Sequence, residues 1–110
     1  MIDLDSVLAA LADSTRRSIV ERLLRGSATP GELSRQIDTI TPQALSHHLS
    51  VLESAGLIYR TREAQRRPCH IAPGALRVAV DWVDRNRPFW EGSFERLDQF
   101  LSIEEDSERD

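Results

Sequence analysis

Residues 41–58 read Thr-Pro-Gln-Ala-Leu-Ser-His-His-Leu-Ser-Val-Leu-Glu-Ser-Ala-Gly-Leu-Ile, and this stretch predicts one short helix with both ends marked. Thr41 suits the N-cap, and Pro42 suits the first helical position, where its missing N–H costs nothing. Gly56 suits the left-handed position that stops a helix. Leu45, Leu49 and Leu52 recur at i, i+4 and i+7, so one face packs inward. The other face carries Gln43, Ser46, His47 and Ser50. These are hydrogen-bonding side chains without negative charge, as a helix lying in a nucleic-acid groove requires. A strand from Leu57 to Arg62 follows at once, with Arg60 and Arg62 on one face, expected to be the outer one.

The rest of the chain supplies a frame for that helix. Leu4, Val7, Leu8 and Leu11 form the stripe of a first amphipathic helix. Asp13 or Ser14 caps a second, with Ile19, Val20, Leu23 and Leu24 inward and Gly26 at its end. Thr29-Pro30-Gly31-Glu32 is a capping box opening a third helix, with Leu33 and Ile37 inward. Asp38, Thr39 and Ile40 make the turn into the helix from Pro42. Glu63 to Arg67 form the tip of a hairpin that returns through Pro68 to Ile71. Pro68 cannot donate to a ladder, which places the return strand at an edge. A helix restarts at Pro73-Gly74 and breaks or kinks between Asn86 and Pro88. A last helix precedes an acidic tail expected to fray from Ile103. The predicted architecture is mainly α with one small β-hairpin, a winged helix-turn-helix of five to six helices, in a single domain over residues 1–103 with residues 104–110 as the tail.

Charge is unevenly placed. The 110 residues carry a net −4, but residues 14–80 hold ten arginines against five acids, and residues 81–110 hold four arginines against ten acids. The segment around the marked helix is therefore basic, while the C-terminal segment is acidic. Every basic residue is arginine, which suits phosphate and guanine contacts but equally fits a bias in base composition. One cysteine, Cys69, excludes an internal disulfide and fits a reducing cytoplasm. No apolar run approaches a membrane span, and Met-Ile-Asp-Leu-Asp is no signal peptide.

With these elements in order, the chain resembles the ArsR family of bacterial winged-helix repressors. The resemblance rests on Leu11-Ala-Asp-Ser-Thr-Arg-Arg17 with Ile19 to Leu24, Gly31-Glu-Leu33, Ser46-His-His-Leu49, and Val51-Leu52 through Ala55-Gly-Leu57. With the aromatic C-terminal helix these cover nearly the whole chain. The resemblance implies a homodimer paired through first and last helices, and one recognition helix per subunit in the major groove of a pseudo-palindromic operator. The run Arg87-Pro-Phe-Trp-Glu91 through Arg96-Leu97 is similar to a subgroup not built around metal sensing. Thiolate sensors of the family carry Cys-x-Cys where this chain has Glu32-Leu33-Ser34-Arg35, and no histidine follows His70. Neither a metal site nor a cofactor site is expected.

The candidate contacts follow. Gln43 and His47 are expected to read bases, with Ala44 and Ser46 next; Thr41 and His48 are expected to position the helix on phosphates, unless His48 serves as its support. Arg60, Arg62, Arg66 and Arg67 are expected to meet the DNA backbone or minor groove. Arg16 and Arg17 either reach that backbone or pair with acids. Five of the six aromatics fall between residues 82 and 100. A subunit interface built from Leu4, Leu8, Trp82, Phe89, Trp90, Phe94, Leu97 and Leu101 explains them better than an intrachain core or an apolar ligand pocket. No catalytic constellation is present, because Ser46 and His47 diverge as neighbours on a helix. The expected function is sequence-specific transcriptional regulation in the cytoplasm by a dimeric repressor, with its own gene among the expected targets. The alternatives are a protein-binding winged helix and a repressor that responds to an apolar small molecule.

Overall fold

The computed structural model describes residues 2–37 and 40–108, with side chains through Ser102. The elements run α1 (Leu4–Leu11), α2 (Ser14–Leu24), α3 (Pro30–Gln36), α4 (Pro42–Ser54), β1 (Ile58–Arg60), β2 (Cys69–Ile71), α5 (Pro73–Arg85) and α6 (Arg87–Glu108). Six helices and one antiparallel hairpin agree with the expected fold class. Of the turn expected at Asp38 to Ile40, Asp38 and Thr39 lie outside the described residues. The chain divides into two compact units, Met1–Ala79 and Val80–Asp110.

Local rules set the boundaries in the first unit. Asp3, Asp13, Thr29 and Thr41 are the N-caps of α1 to α4, each accepting from the backbone three residues on. The capping box at α3 is reciprocal: Glu32 N donates to Thr29 Oγ1 at 3.2 Å, and Thr29 N donates to Glu32 Oε1 at 3.5 Å. Helix α4 ends in a Schellman motif. Leu57 N donates to Leu52 O at 3.0 Å and Gly56 N to Glu53 O at 3.0 Å, with Gly56 at φ +80°. Leu52 and Leu57 are both fully buried and supply the apolar contact that accompanies this stop.

The core of the first unit gathers around the inner stripe of α4. Leu45, Leu49 and Leu52 are buried, as their spacing predicts, against Val7, Ile19, Val20, Leu23, Leu33 and Ile58. Each such aliphatic side chain stabilises the fold by about 1.5–3 kcal/mol relative to exposure. Two stripes differ from expectation. In α1 the buried positions are Val7 and Ala10, while Leu8 stays 43% exposed. In α2 the stripe stops at Leu23, and Leu24 faces out. Neighbouring helical positions sit about 100° apart, so the second residue of Val7–Leu8 or of Leu23–Leu24 need not share the inward face.

The hairpin is shorter than the sequence suggests. Strand β1 begins at Ile58 because the Leu57 amide is spent on the helix stop. The register pairs Ile58 with Ile71, Tyr59 with His70 and Arg60 with Cys69. Pro68 lacks a donor but accepts from Thr61 N at 3.2 Å. Strand β2 is not a free edge throughout: Cys69 exchanges two backbone bonds with Ala28, at 2.8 and 3.2 Å, and so ties the loop before α3 to the hairpin. At the tip, Glu63 and Arg66 exchange bonds of 3.0 and 2.9 Å around Ala64 and Gln65. Ala64 takes φ +56°, a backbone that favours glycine.

Helix α5 ends at Arg85, and Pro88 sits in the first turn of α6, where a missing N–H is tolerated. Asn86 bridges the break, accepting from both Phe89 N and Trp90 N. In the second unit, Trp90 Nε1 donates to Val83 O at 3.1 Å, and its ring meets Phe94 edge-on. Helix α6 runs on through residues 103–108, where the sequence suggests a frayed tail.

Candidate nucleic-acid interface

The outer face of α4 presents Thr41, Gln43, Ser46, His47 and Ser50 as exposed side chains, with Ala44 half-buried. No carboxylate occurs from Thr41 through Leu52. Thr41 Oγ1 accepts from Ala44 N at 3.1 Å, so its cap role is already filled from within the helix. The expected base-reading residues therefore share an uncharged polar surface, one that the buried leucine stripe holds rigid from behind.

His48 takes the supporting role. It is half-buried, and its Nδ1 lies 3.2 Å from Arg16 Nη1 and 3.9 Å from Asp13 Oδ2. A guanidinium only donates, so Nδ1 is the acceptor and the ring proton sits on Nε2. Arg16 also donates from Nε to Ala10 O at 2.7 Å and from Nη2 to Ala9 O at 3.2 Å; Arg17 donates to Leu11 O at 2.8 Å. These carbonyls belong to the last turn of α1, where intrahelical donors run out. In the single chain both close the C-terminus of α1 rather than pairing with acids, and Arg16 then carries that connection to α4 through His48. Asp13 completes the cluster. The backbone hydrogen bond from Arg16, reinforced by the Arg16 charge and opposed by desolvation, holds its carboxyl below the usual carboxylate range.

The hairpin sorts its arginines. Arg62, Arg66 and Arg67 are exposed at the wing, as expected. Arg60 departs from expectation: it alternates with the exposed Tyr59 and shares the inner face with the buried Ile58. It is half-buried, and its Nε is enclosed without a hydrogen-bond partner among the described residues. The reason is register, because Arg60 lies opposite the buried Cys69. Burial pushes the Cys69 thiol up, against an opposing pull from the Arg60 charge, so Cys69 is a protonated core residue at neutral pH.

The outer face of the hairpin holds a junction that sequence reasoning missed. The His70 ring stacks on Tyr59 with centroids 4.9 Å apart. Its Nδ1 lies 2.6 Å from Ser27 Oγ, and its Nε2 lies 2.7 Å from Thr61 Oγ1. The base of the wing is thereby fixed to the loop before α3. The strand alternation of Tyr59 and Thr61 was the only available signal; Ser27 had none. Arg35 was also missed. It lines a cleft of about 610 Å³ between α3 and the wing tip, together with Arg66 and Arg67.

Among the expected interface residues, Leu8, Trp82, Phe89, Phe94, Leu97 and Leu101 are exposed, Phe89 to 74%. Leu4 and Trp90 are half-buried. Among the described residues, no three His, Cys, Asp or Glu side chains come together as metal ligands, and no helix is long and apolar enough to cross a membrane.

Residues 11–60 match a helix-turn-helix domain family. The chain is 37% identical over 102 residues to the HTH-type transcriptional regulator Rv2034 of Mycobacterium tuberculosis, covering 93% of this chain and 92% of that one. Its fold is similar to the crystal structure of the ArsR family transcriptional regulator RHA00566, with TM-score 0.73, 32% identity, and coverage of 80% of this chain and 96% of that one. The chain belongs to the ArsR family of winged helix-turn-helix transcriptional regulators. A further structural neighbour is the homodimeric winged helix-turn-helix DNA-binding domain of Mb0332 from Mycobacterium bovis, with TM-score 0.62, 26% identity, and coverage of 76% of this chain and 79% of that one. In the terms of this ArsR-family fold, α3 and α4 are the helix-turn-helix and β1–β2 the wing.

Proposed function

We propose that this ArsR-family regulator binds double-stranded DNA as a homodimer, in the cytoplasm and without catalytic activity, and represses transcription by occupying a pseudo-palindromic operator, its own promoter included. The observation that carries this reading is the outer face of α4, polar and free of acids from Thr41 through Leu52, next to a wing tipped by Arg66 and Arg67. Gln43 and His47 read base edges, Ala44 and Ser46 lie against them, and Thr41 meets the backbone. Arg62, Arg66 and Arg67 supply sequence-independent affinity, while His48 positions α4 through Arg16. Two such helices, about 34 Å apart across a two-fold axis, fit successive major grooves. Residues 1–103 carry both DNA binding and dimerisation, and residues 104–110 form an acidic extension.

Fluorescence anisotropy tests the reading, on DNA from upstream of the protein's own gene and on scrambled DNA, over a series of stated salt concentrations. Tight binding to the upstream fragment, saturating at two chains per site, is the expected result. Gln43→Ala is expected to narrow the gap between the two DNAs by roughly 1–3 kcal/mol while leaving scrambled-DNA affinity in place. Equal loss on both DNAs would remove Gln43 from the base-reading set. Failure of the wild-type protein to bind either DNA at low salt would overturn DNA binding itself.

A further inference from the structure

The cleft between α3 and the wing tip has a charge pattern that the residue-by-residue assignments leave unexplained. Arg35 enters it from α3, and Arg66 and Arg67 enter it from the wing. The Arg35 guanidinium folds back over the first turn of its helix, since a methyl group built at Gly31 would stand 3.7 Å from Arg35 Nη1. One carboxylate, Glu32, also lines the cleft, its Oε1 accepting from Thr29 N and Thr29 Oγ1, so the lining sets three positive charges against one negative. Among the described residues no ion pair involves Arg35, Arg66 or Arg67. Three guanidinium groups around one concave space repel one another, and the field they sum to concentrates anions there.

The shape indicates which anion. A second recess, of about 310 Å³, adjoins the cleft at Pro30 and Gly31 and is lined by Pro42, Leu45, Ser46 and Arg60. Together they form a trough from the first turns of α4 to the wing tip, apolar along one stretch and cationic along the other. A free phosphate would fill only the cationic stretch. A sugar–phosphate strand presents both an apolar sugar and a repeating anion, and the trough starts at Pro42 and Ser46, beside the α4 face proposed to read bases.

We propose that this trough holds one sugar–phosphate strand of the duplex, with Arg35 as a phosphate contact beside Arg66 and Arg67. The assignment rests on the DNA-binding reading above and deepens it. It adds α3 to a contact surface otherwise built from α4 and the wing, and it gives Arg60 a place on the strand's path.

The test uses the full chain and anisotropy on the same two DNAs across a salt series. Arg35→Gln is expected to lower affinity for both DNAs alike and to flatten the log–log salt slope by about 0.9 per subunit. Gly31→Glu adds a carboxylate to the cleft at a position with an ordinary φ and no close neighbour, and is expected to weaken binding to both DNAs by roughly tenfold or more. Arg96→Gln, a charge-matched change on α6, is expected to bind like wild type. Thermal melts establish that each variant is folded. Wild-type binding with an unchanged slope in Arg35→Gln and unchanged affinity in Gly31→Glu overturns the trough assignment and leaves the DNA-binding reading standing. Absence of wild-type binding overturns both. An equal loss in Arg96→Gln would show a general charge effect and overturn the assignment to the trough. If 10 mM sodium phosphate displaced the DNA at constant ionic strength, the site would belong to the free anion rather than the strand.

Discussion

At the scale of single residues, the side chains around α4 divide into those that face outward and those that hold the helix still. His48, Arg16 and Asp13 belong to the second group, and Asp13 makes their stability depend on pH. Its carboxylate accepts from Arg16 N at 3.0 Å, which lowers its folded pKa below the ordinary value of 3.8. For a group lowered on folding, the contribution is present in full above the unfolded pKa and is lost as pH falls through the folded one. Thermal melts between neutral pH and pH 2 should therefore show a loss on the acid side. Asp13→Asn retains a capping side chain without the charge, so its melting temperature should change less over the same range. An equally steep acid loss in Asp13→Asn would assign the effect to other carboxylates. Arg60 marks the limit of what residues disclose singly. Two arginines alternating with a threonine read as a solvated face, and only the pairing of Arg60 with a buried cysteine turns that face inward.

At the scale of elements, the boundaries written as short-range chemistry were legible. The capping box at Thr29, the cap at Thr41 with Pro42, and the glycine stop at Gly56 each involve residues within five positions of one another, and each appears as expected. Features that depend on contacts distant in sequence were not legible: the Ala28–Cys69 pairing, the Ser27–His70–Thr61 junction, and the inward turn of Arg60. Of the candidate site, the α4 face could be read because a helix fixes its own faces, whereas Arg35 required the wing to be in place. Gly56 gives the sharpest test of an element boundary. An alanine there adopts φ +80° at a cost of about 1–2 kcal/mol, and its Cβ would stand 3.3 Å from Ile2 Cγ1. Gly56→Ala should lower stability by at least about that amount in chemical denaturation. The loss should exceed that of Gly31→Ala, where φ is ordinary and the nearest neighbour is a flexible arginine. Equal effects at the two glycines would mean that the Schellman stop contributes little to α4.

At the scale of the whole molecule, the sequence carries two surfaces of opposite character. Its central segment is basic, and its C-terminal segment is acidic and rich in exposed apolar side chains: Phe89, Phe94, Leu97 and Phe100 are all more than half exposed. Isolated apolar residues on a surface need no explanation, but four large ones on a single helix do. The proposed self-association would cover them, because a two-fold interface buries the same face twice. Dimerisation and DNA affinity should then be separable by substitution. Phe94 is 58% exposed in the single chain, so Phe94→Ser should cost little in the fold of residues 1–79. In sedimentation velocity at micromolar concentration it should shift the protein toward monomer, and more so when combined with Leu97→Ser. Each monomer retains Arg35, Arg66, Arg67 and the α4 face, so binding to scrambled DNA should fall moderately, with about half the salt slope of the dimer. Discrimination for the upstream fragment should fall much further, because two linked half-sites gain from effective concentration and one does not. If the double variant sediments as a dimer, the exposed aromatics of α6 are not the subunit interface. If it is monomeric yet keeps full discrimination, one recognition helix suffices and the operator has no need of two-fold symmetry.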